Sequence, residues 1–321
     1  MTTASTVSAS IAAAAQVVVV AAGGPLLIGV MRQVRARLEG RAGAGVTQPW
    51  RDLRKLLRRA PATPTGTGWA FRLAPLLLTG TSLVLAAVVP LLSTASPLDS
   101  IADLFVVVGL LALGTVTLAL AALDTGTAFG GMGASREITI LALVEPTILV
   151  SVFALSARVG STNLAEIVGA TLHAPLTVAS PASLLAAAAL AIVVVAETGR
   201  LPVDNPATHL ELTMIHEAMV LEYAGADLAL VEWASSMRLT VLLGLLASLF
   251  APWGIAGAGL AGLAALPLAL LAFVAKVAVL GAGLGAAEVF IAKLRLFRVP
   301  ELLAGSFVLA LLAVASSFFL A

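Results

Sequence analysis

Acidic side chains, the groups best suited to binding and releasing protons, are concentrated in one segment of this sequence. Seven of the seventeen acidic residues lie between residues 197 and 232, and two of the three histidines, His209 and His216, lie among them. Carboxylates held this close repel one another when all are ionised, so the cluster must bind protons or recruit a cation such as Arg200. The alternative is a solvated acidic surface. We predict a proton-coupling role for Glu197, Asp204, Glu211, Glu217 and Glu222.

Further ionisable residues lie inside or beside apolar runs. Glu145 lies within one run, next to Pro146, and a carboxylate in mid-membrane costs about 2.5 to 3.5 kcal/mol on insertion scales. That cost favours a functional or paired role. Lys276 lies in another run, and we interpret it as a buried titratable group; the alternative is a snorkelling lysine. The additional proton-coupling candidates are Asp124, Glu145, Lys276 and Glu288.

Basic residues are concentrated elsewhere, with ten of the eighteen between Arg32 and Arg72. Arginines in such a loop can bind a partner's carboxylates or the phosphates of anionic lipid, and composition does not separate the two. We predict that this loop docks a soluble partner. The predicted docking residues are Arg35, Arg37, Arg41, Asp52, Lys55, Arg136, Arg200, Arg295 and Arg298.

Several kinds of cofactor site are excluded or disfavoured. The chain has no cysteine, so it ligates no iron–sulfur cluster through thiolates. His216 and Glu217 begin an HExxH-like pattern, but Val220 stands where the second histidine of that zinc motif would fall. The glycine-rich stretch at 126–133 lacks the lysine and hydroxyl residue of a phosphate loop. We expect no cofactor and no metal in this chain, and no nucleic-acid partner.

The elements that position these groups are membrane helices. At 60% hydrophobic and 11% charged residues, with a mean hydropathy of +1.08, the chain has too little polar surface for a soluble protein. We predict an all-α integral membrane protein, a bundle of eight transmembrane helices within a single domain, 1–321, because each apolar run approaches the roughly 20 residues needed to cross the hydrocarbon. The expected spans are 11–31, 73–95, 101–123, 138–157, 182–196, 239–255, 260–287 and 302–320.

Loop charges predict the orientation of the bundle. The basic loop and most remaining cations fall on one side, which the positive-inside rule makes cytoplasmic, with both termini outside. No basic residue precedes the first run, which favours a retained helix over a cleaved signal peptide. We expect a short amphipathic helix at Trp50–Arg59, a second one in the acidic loop from Leu210 to Val231, and a chain break at the glycines of 126–133.

Four segments resemble one family of membrane proteins. They are the basic loop with GRAGAGVTQPWRDLRKLL, then LDTGTAFGGMGASRE, ETGRLPVDNPATHLELTMIHEAMVLEYAG and AKLRLFRVPELL. The family is the membrane subunit, known as subunit 1 in respiratory complex I, that complex I shares with energy-converting membrane-bound NiFe hydrogenases. The resemblance covers essentially the whole chain and is closest to the branch that includes formate hydrogenlyase.

The resemblance implies a subunit of the prokaryotic plasma membrane that docks hydrogenase-like large and small subunits and an iron–sulfur subunit, and that contacts antiporter-like membrane subunits. Iron–sulfur clusters and a NiFe centre would then belong to those partners. Glu145, nine residues after Arg136, matches the family's membrane-embedded glutamate. Val203, Ala207 and His209 depart from the complex I branch, which weakens a quinone-site assignment.

We therefore expect a docking and proton-coupling subunit of a membrane-bound hydrogenase or formate hydrogenlyase-type complex. A quinone-cavity subunit of a complex I-type oxidoreductase is the alternative within the family. A stand-alone secondary transporter is the alternative from another class, although no inverted repeat is visible in the sequence.

Overall fold

The chain forms an all-α membrane protein in a computed structural model that describes residues 3–204, 214–257 and 259–319. Within those ranges no β-strand forms, as the composition predicts. The helices are α1 (Thr3–Leu38), α2 (Gln48–Leu57), α3 (Trp69–Val88), α4 (Leu104–Asp124), α5 (Ala128–Val159), α6 (Leu164–His173), α7 (Pro181–Glu197), α8 (His216–Val220), α9 (Gly225–Phe250), α10 (Gly259–Phe290) and α11 (Val299–Phe319).

Seven helices in the described part of the chain are long and apolar enough to cross a membrane, namely α1, α3, α4, α5, α9, α10 and α11. The remaining expected span, 182–196, forms α7, whose 17 residues are at the lower limit of spanning length. Its middle is buried against other helices, with Ala186, Ala189 and Leu190 fully inaccessible. The short amphipathic helix expected at Trp50–Arg59 is confirmed as α2, which buries Leu53.

The glycine-rich stretch before Arg136 was wrongly predicted to break the chain. Only Gly126, with a φ of +66°, lies in a turn, and α5 begins at Ala128. Thr127 caps this helix by accepting a hydrogen bond from the Gly130 amide. Gly133 serves close packing, since a Cβ there would lie 2.9 Å from the carbonyl oxygen of Ile215. Gly133 therefore lets the segment before α8 approach α5.

The amphipathic helix expected from Leu210 to Val231 is also wrong within the described residues; 205–213 lie outside them. Only α8 and the start of α9 are helical, and the chain turns between them. The turn buries Tyr223, whose ring stacks on Phe71 at a centroid distance of 4.2 Å. Gly225 follows with a φ of +60°, and a Cβ there would clash with the carbonyl of Ala60. Aromatic burial and close backbone packing thus interrupt the helix.

Prolines inside two membrane helices free backbone carbonyls, which aromatic side chains then satisfy. A helical proline has no N–H to donate to the carbonyl four residues earlier. For Pro25 in α1 that carbonyl belongs to Ala21, and the Trp233 indole donates to it at 2.8 Å. For Pro75 in α3 it belongs to Phe71, and the Tyr223 hydroxyl donates to it at 2.9 Å. Both bonds fasten the segment from α8 to α9 onto the bundle.

The core of the bundle lies around α9, which packs against α1, α3, α7 and α10. On one side α4 fills the space between α3 and α5, and α11 packs against α5 and α7. On the other side α1 and α10 approach closely at Gly281 and Gly285, whose faces meet Leu27 and Met31. Small residues four apart are a common means of close helix contact in membranes.

Helix α3 ends at Val88, earlier than the expected span of 73–95, because Pro90 cannot continue it. Gln16 of α1, only 4% exposed, binds the chain at this point. Its amide nitrogen donates to the carbonyls of Ala86 and Val89 at 2.6 and 2.7 Å. Its amide oxygen accepts from the N–H groups of residues 91 and 92. All four groups of the buried turn are thereby satisfied.

Asp124, predicted as a proton-coupling residue, is the last residue of α4, and its side chain contacts the start of α3. Its Oδ2 accepts from the amides of Gly68 and Phe71 at 2.9 and 3.0 Å, which is the role of a helix cap.

Asp124→Ala should weaken this end of α3 by about 1 kcal/mol, the usual cost of losing a cap. Hydrogen–deuterium exchange of the amides of residues 68–71 in the assembled complex should accelerate roughly fivefold. Asp124→Asn keeps an accepting oxygen and is the matched control, with much slower exchange expected than in the alanine variant. Equal exchange in wild type and Asp124→Ala would contradict this role.

Candidate functional site

A cavity of about 920 Å³ opens at the end of the bundle that carries the basic loop. Its wall is formed by the end of α1, α2, the segment 198–204, α8, the start of α9 and the end of α10. Residues of the predicted proton-coupling set and of the predicted docking set line this cavity together. The ionisable lining residues are Arg32, Arg35, Arg41, Asp52, Lys55, Arg59, Arg200, Asp204, His216, Glu217, Glu232 and Glu288.

Glu288, near the end of α10, organises one side of this cavity. Its side chain is 4% exposed and receives two arginines, with Nη1 of Arg200 at 3.5 Å from Oε1 and Nη1 of Arg35 at 3.8 Å from Oε2. Burial lowers the pKa of Arg200 and the adjacent Glu288 raises it. An arginine remains cationic at any physiological pH. Glu288 therefore pairs with two cations that come from different elements.

Asp204 organises the opposite side. Lys293 lies with its Nζ 2.7 Å from Oδ1, and the amides of Ile215 and His216 donate to Oδ2 at 3.2 and 3.1 Å. The backbone amide of Leu294 also donates to the carbonyl of Pro202 at 2.9 Å. Asp204 thus joins the segment after α10 to the start of α8. This contact is what places His216 at the inner wall of the cavity.

A small inner pocket of about 30 Å³, lined by both polar and apolar side chains, lies behind His216. Thr198, His216, Val231 and Ser235 line both this inner pocket and the cavity, so the two spaces share a wall. Burial lowers the pKa of His216, which makes its imidazole neutral near pH 7. A neutral imidazole can both accept and donate a proton. The other ionisable residues of the inner pocket are Glu137, Glu197 and Arg238.

Arg238 and Glu197 form a buried ion pair, with side-chain exposures of 14% and 3%. The same guanidinium donates to the hydroxyl of Thr115 at 2.6 Å and to the carbonyl of Leu111 at 2.7 Å. Gly114 makes room for it, since a Cβ at that position would lie 2.9 Å from Nη1 of Arg238. Helix α4 therefore provides the binding site for the guanidinium of Arg238, which extends from α9 to Glu197 of α7.

The structure brings half of the predicted residues together. Arg35, Arg41, Asp52, Lys55, Arg200, Asp204, Glu217 and Glu288 line the cavity, and Glu197 lies in the inner pocket. Glu145 lies farther along α5 with Oε1 buried, and no hydrogen-bond partner for that atom is present among the described residues. Glu211 lies outside the described residues.

Other predicted residues are located away from the cavity wall. Glu222 is half-buried beside Tyr223, and Arg37, Arg295 and Arg298 are exposed. Arg136 donates to the carbonyl of Met214 at 2.8 Å. Lys276 donates to the carbonyls of Ala251 and Trp253 just past the end of α9, the contact that a lysine makes with a helix C-terminus.

Sequence reasoning missed two residues of the inner pocket, Glu137 and Arg238. Both were treated as helix ends because a charge beside an apolar run resembles the edge of a membrane span. In the structure Glu137 is the tenth residue of α5, and Arg238 is the fourteenth of α9. The available signal was their opposite sign together with Glu197, since buried charges occur in pairs.

Comparisons with known proteins agree with this architecture. A family model described as NADH dehydrogenase matches residues 10–319. Hydrogenase-4 component C of Escherichia coli K12 is 40% identical over 236 residues, covering 72% of each chain. Formate hydrogenlyase subunit 4 of the same organism is 37% identical over 230 residues, covering 72% of this chain and 74% of that one.

More distant similarities extend to complex I and to an archaeal complex. NADH-ubiquinone oxidoreductase chain 1 of Triticum aestivum is 28% identical over 239 residues, covering 70% of this chain and 72% of that one. A chain in the structure of the membrane-bound sulfane sulfur reductase, an archaeal respiratory membrane complex, has a TM-score of 0.79. At 20% identity, over 96% of this chain and 98% of that one, it shows a shared fold.

Proposed function

The chain belongs to the NADH dehydrogenase family, as a membrane subunit related to those of complex I, and from that premise we propose its specific role. It docks the soluble arm of a membrane-bound hydrogenase or formate hydrogenlyase-type complex and couples reactions in that arm to proton movement. The two relatives with the higher identities, a formate hydrogenlyase subunit and a hydrogenase-4 component, support this choice of complex.

One observation carries the proposal: the charged cavity shares a wall, at His216, with an inner pocket that holds Glu197 and Glu137. Protons in the cavity water are therefore one neutral imidazole away from carboxylates inside the bundle. Glu145 lies on the same helix as Glu137, and its buried oxygen supports a role as the next group. A change of charge above the cavity would alter the proton affinity of all these groups.

The docking half of the proposal is supported by the exposed cations at the same end. Arg37 and Arg41 follow the cavity wall at the end of α1, and Arg41 lines the cavity itself. Arg295 and Arg298 follow Leu294, whose amide is bonded to the segment 198–204. In the proposed orientation these residues face the cytoplasm. The redox centres, iron–sulfur clusters and a NiFe site, would lie in the hydrogenase-like partners, and antiporter-like subunits would contact the flank in the membrane.

The alternative is a quinone site in the same cavity. Its volume of about 920 Å³ is at the upper end of the range for ligand sites, and Ile28, Met31 and Leu53 supply apolar wall. The dense charge of the remaining wall favours a hydrated space. Purified complex that retains quinone and reduces it would favour the alternative.

Glu145→Gln tests the coupling role, because glutamine keeps the shape of the side chain and removes its ability to carry a proton. We expect a fully assembled complex in which turnover no longer responds to an imposed proton gradient in sealed vesicles. Turnover in detergent, where no gradient exists, is the internal reference. Glu166→Gln, at an exposed position of α6, is the matched control and should behave as wild type. A wild-type gradient response in Glu145→Gln would remove Glu145 from the path.

A further inference from the structure

The inner pocket is large enough for water, and polar side chains on its wall can bind it. A buried water needs about 10 to 15 Å³ and two to four polar partners. The pocket provides about 30 Å³, with hydroxyls of Ser82, Thr115, Thr198 and Ser235 on its wall in addition to the charged groups. It therefore has room for about two waters. Such waters can transfer protons between His216 and the carboxylates of the pocket.

The charges of this pocket are not equal in number. Arg238 is its one cation in the described part of the chain, since His216 is neutral there, whereas Glu137 and Glu197 both contribute carboxylates. Arg238 is bound to Glu197, and the binding site on α4 fixes its position. Glu137, 8% exposed, forms no ion pair with any described residue. An isolated buried carboxylate is so costly that the group binds a proton instead.

We propose that Glu137 is the group in the inner pocket that takes up and releases the transferred proton, while Glu197 remains paired with Arg238. The inference rests on the proposed coupling function and assigns its carrier. The titratable and charged groups near Glu137 are Glu197 from α7, Asp204 from the segment after α7, His216 from α8 and Arg238 from α9, and Thr115 from α4 lies on the same wall.

The proton transfer is balanced within the chain and its water. A proton from cavity water reaches the pocket past His216, and the Glu137 carboxylate binds it to become a neutral carboxylic acid. Release returns the carboxylate and passes the proton to water or toward Glu145, which lies eight residues, or about 12 Å, farther along the same helix. Arg238 acts as a positioning residue. It pairs with Glu197 and so leaves Glu137 as the carboxylate that binds the transferred proton.

The alternative assignment is that Glu197 binds the transferred proton and Glu137 takes no part in the transfer. The two assignments predict different behaviour for the variants Glu137→Gln and Glu197→Gln. If Glu137 is neutral at rest, Glu137→Gln replaces one neutral group by another of the same shape, and stability is retained. Glu197→Gln, in contrast, removes the partner of a buried arginine and should destabilise the complex.

The experiment uses the assembled complex in sealed vesicles with Glu137→Gln, Glu197→Gln, Glu145→Gln and the control Glu166→Gln. Glu137→Gln should assemble at wild-type level, and its gradient-coupled turnover should fall by on the order of a hundredfold, as expected for loss of a proton-transferring side chain. Infrared spectra at neutral pH should lose one carbonyl band of a protonated carboxylic acid in Glu137→Gln and retain it in the control Glu166→Gln.

Three results would overturn the assignment. The first is a carboxylic acid band that survives in Glu137→Gln, and the second is failure of that variant to assemble, since a neutral carboxyl tolerates the change. The third is a wild-type gradient response in Glu137→Gln while Glu145→Gln loses it; the coupling function would then stand and the carrier would be another residue. A wild-type response in both variants would instead overturn the coupling function itself.

Discussion

Replacing Arg238 by methionine should destabilise the protein by about 3 to 5 kcal/mol, because a buried carboxylate, Glu197, then loses its counter-charge. The side chains of both residues are nearly inaccessible, and the guanidinium also satisfies Thr115 and the carbonyl of Leu111. We expect little assembled complex on native gels, and a markedly lower temperature of thermal inactivation for the fraction that forms.

The double variant Arg238→Met/Glu197→Gln removes both charges and should recover most of the lost stability, since no ionised group is left unpaired. Arg72→Met, at an exposed position of α3, is the control for loss of a positive charge and should assemble normally. Equal assembly of Arg238→Met and the double variant, both at wild-type level, would show that the pair is not a buried charge pair in the folded protein.

The charge-reversing double variant Arg37→Glu/Arg41→Glu should release the soluble arm from the membrane. Both side chains are exposed, and Arg41 pairs only with the neighbouring Glu39 on the protein's own surface in the described residues. If each arginine forms one charge-assisted hydrogen bond with a partner, its loss costs about 1.5 kcal/mol or more. The pair then accounts for roughly a hundredfold in affinity. Arg35 is left unchanged because it pairs with the buried Glu288.

The matched control is Arg51→Glu/Arg54→Glu, which changes the same number of charges at two exposed positions of α2. Sedimentation of membranes in moderate salt measures how much arm remains bound. A docking surface centred on Arg37 and Arg41 loses the arm in the first variant and retains it in the second. Equal retention in both variants would make the loop a lipid anchor.

The fold could be predicted from hydropathy because apolar length alone specifies membrane helices. The predicted starts of two spans were too late because the helix there begins in polar sequence, at Ala128–Glu137 and Gly225–Arg238. A hydropathy window ends a span at a charge, and it contains no information on whether another helix supplies the opposite charge. The break at Leu221–Ala224 was missed for a related reason, since it depends on Tyr223 packing against Phe71 from a distant helix.

The residues of the cavity were more predictable from the sequence than those of the inner pocket. Cations and carboxylates at the ends of helices are visible in the sequence as loops, and Arg35, Arg200, Asp204 and Glu288 were identified in this way. Their pairing was not visible, because it requires knowing that α1 and α10 are neighbours. Arg238 was missed as a site residue because its partner is 41 positions away in the sequence and on another helix.

The close contact of α10 with α1 has a consequence for the charge of the cavity. Gly285 faces the backbone of Met31 so closely that a Cβ there would lie 2.9 Å from the Met31 carbonyl oxygen. Glu288 lies three residues beyond Gly285, and its pairing with Arg35 of α1 depends on that spacing. A single methyl group at Gly285 would act as a spacer between two apolar surfaces, separating Glu288 from Arg35. The electrostatics of this cavity are therefore set partly by a residue that has no side chain.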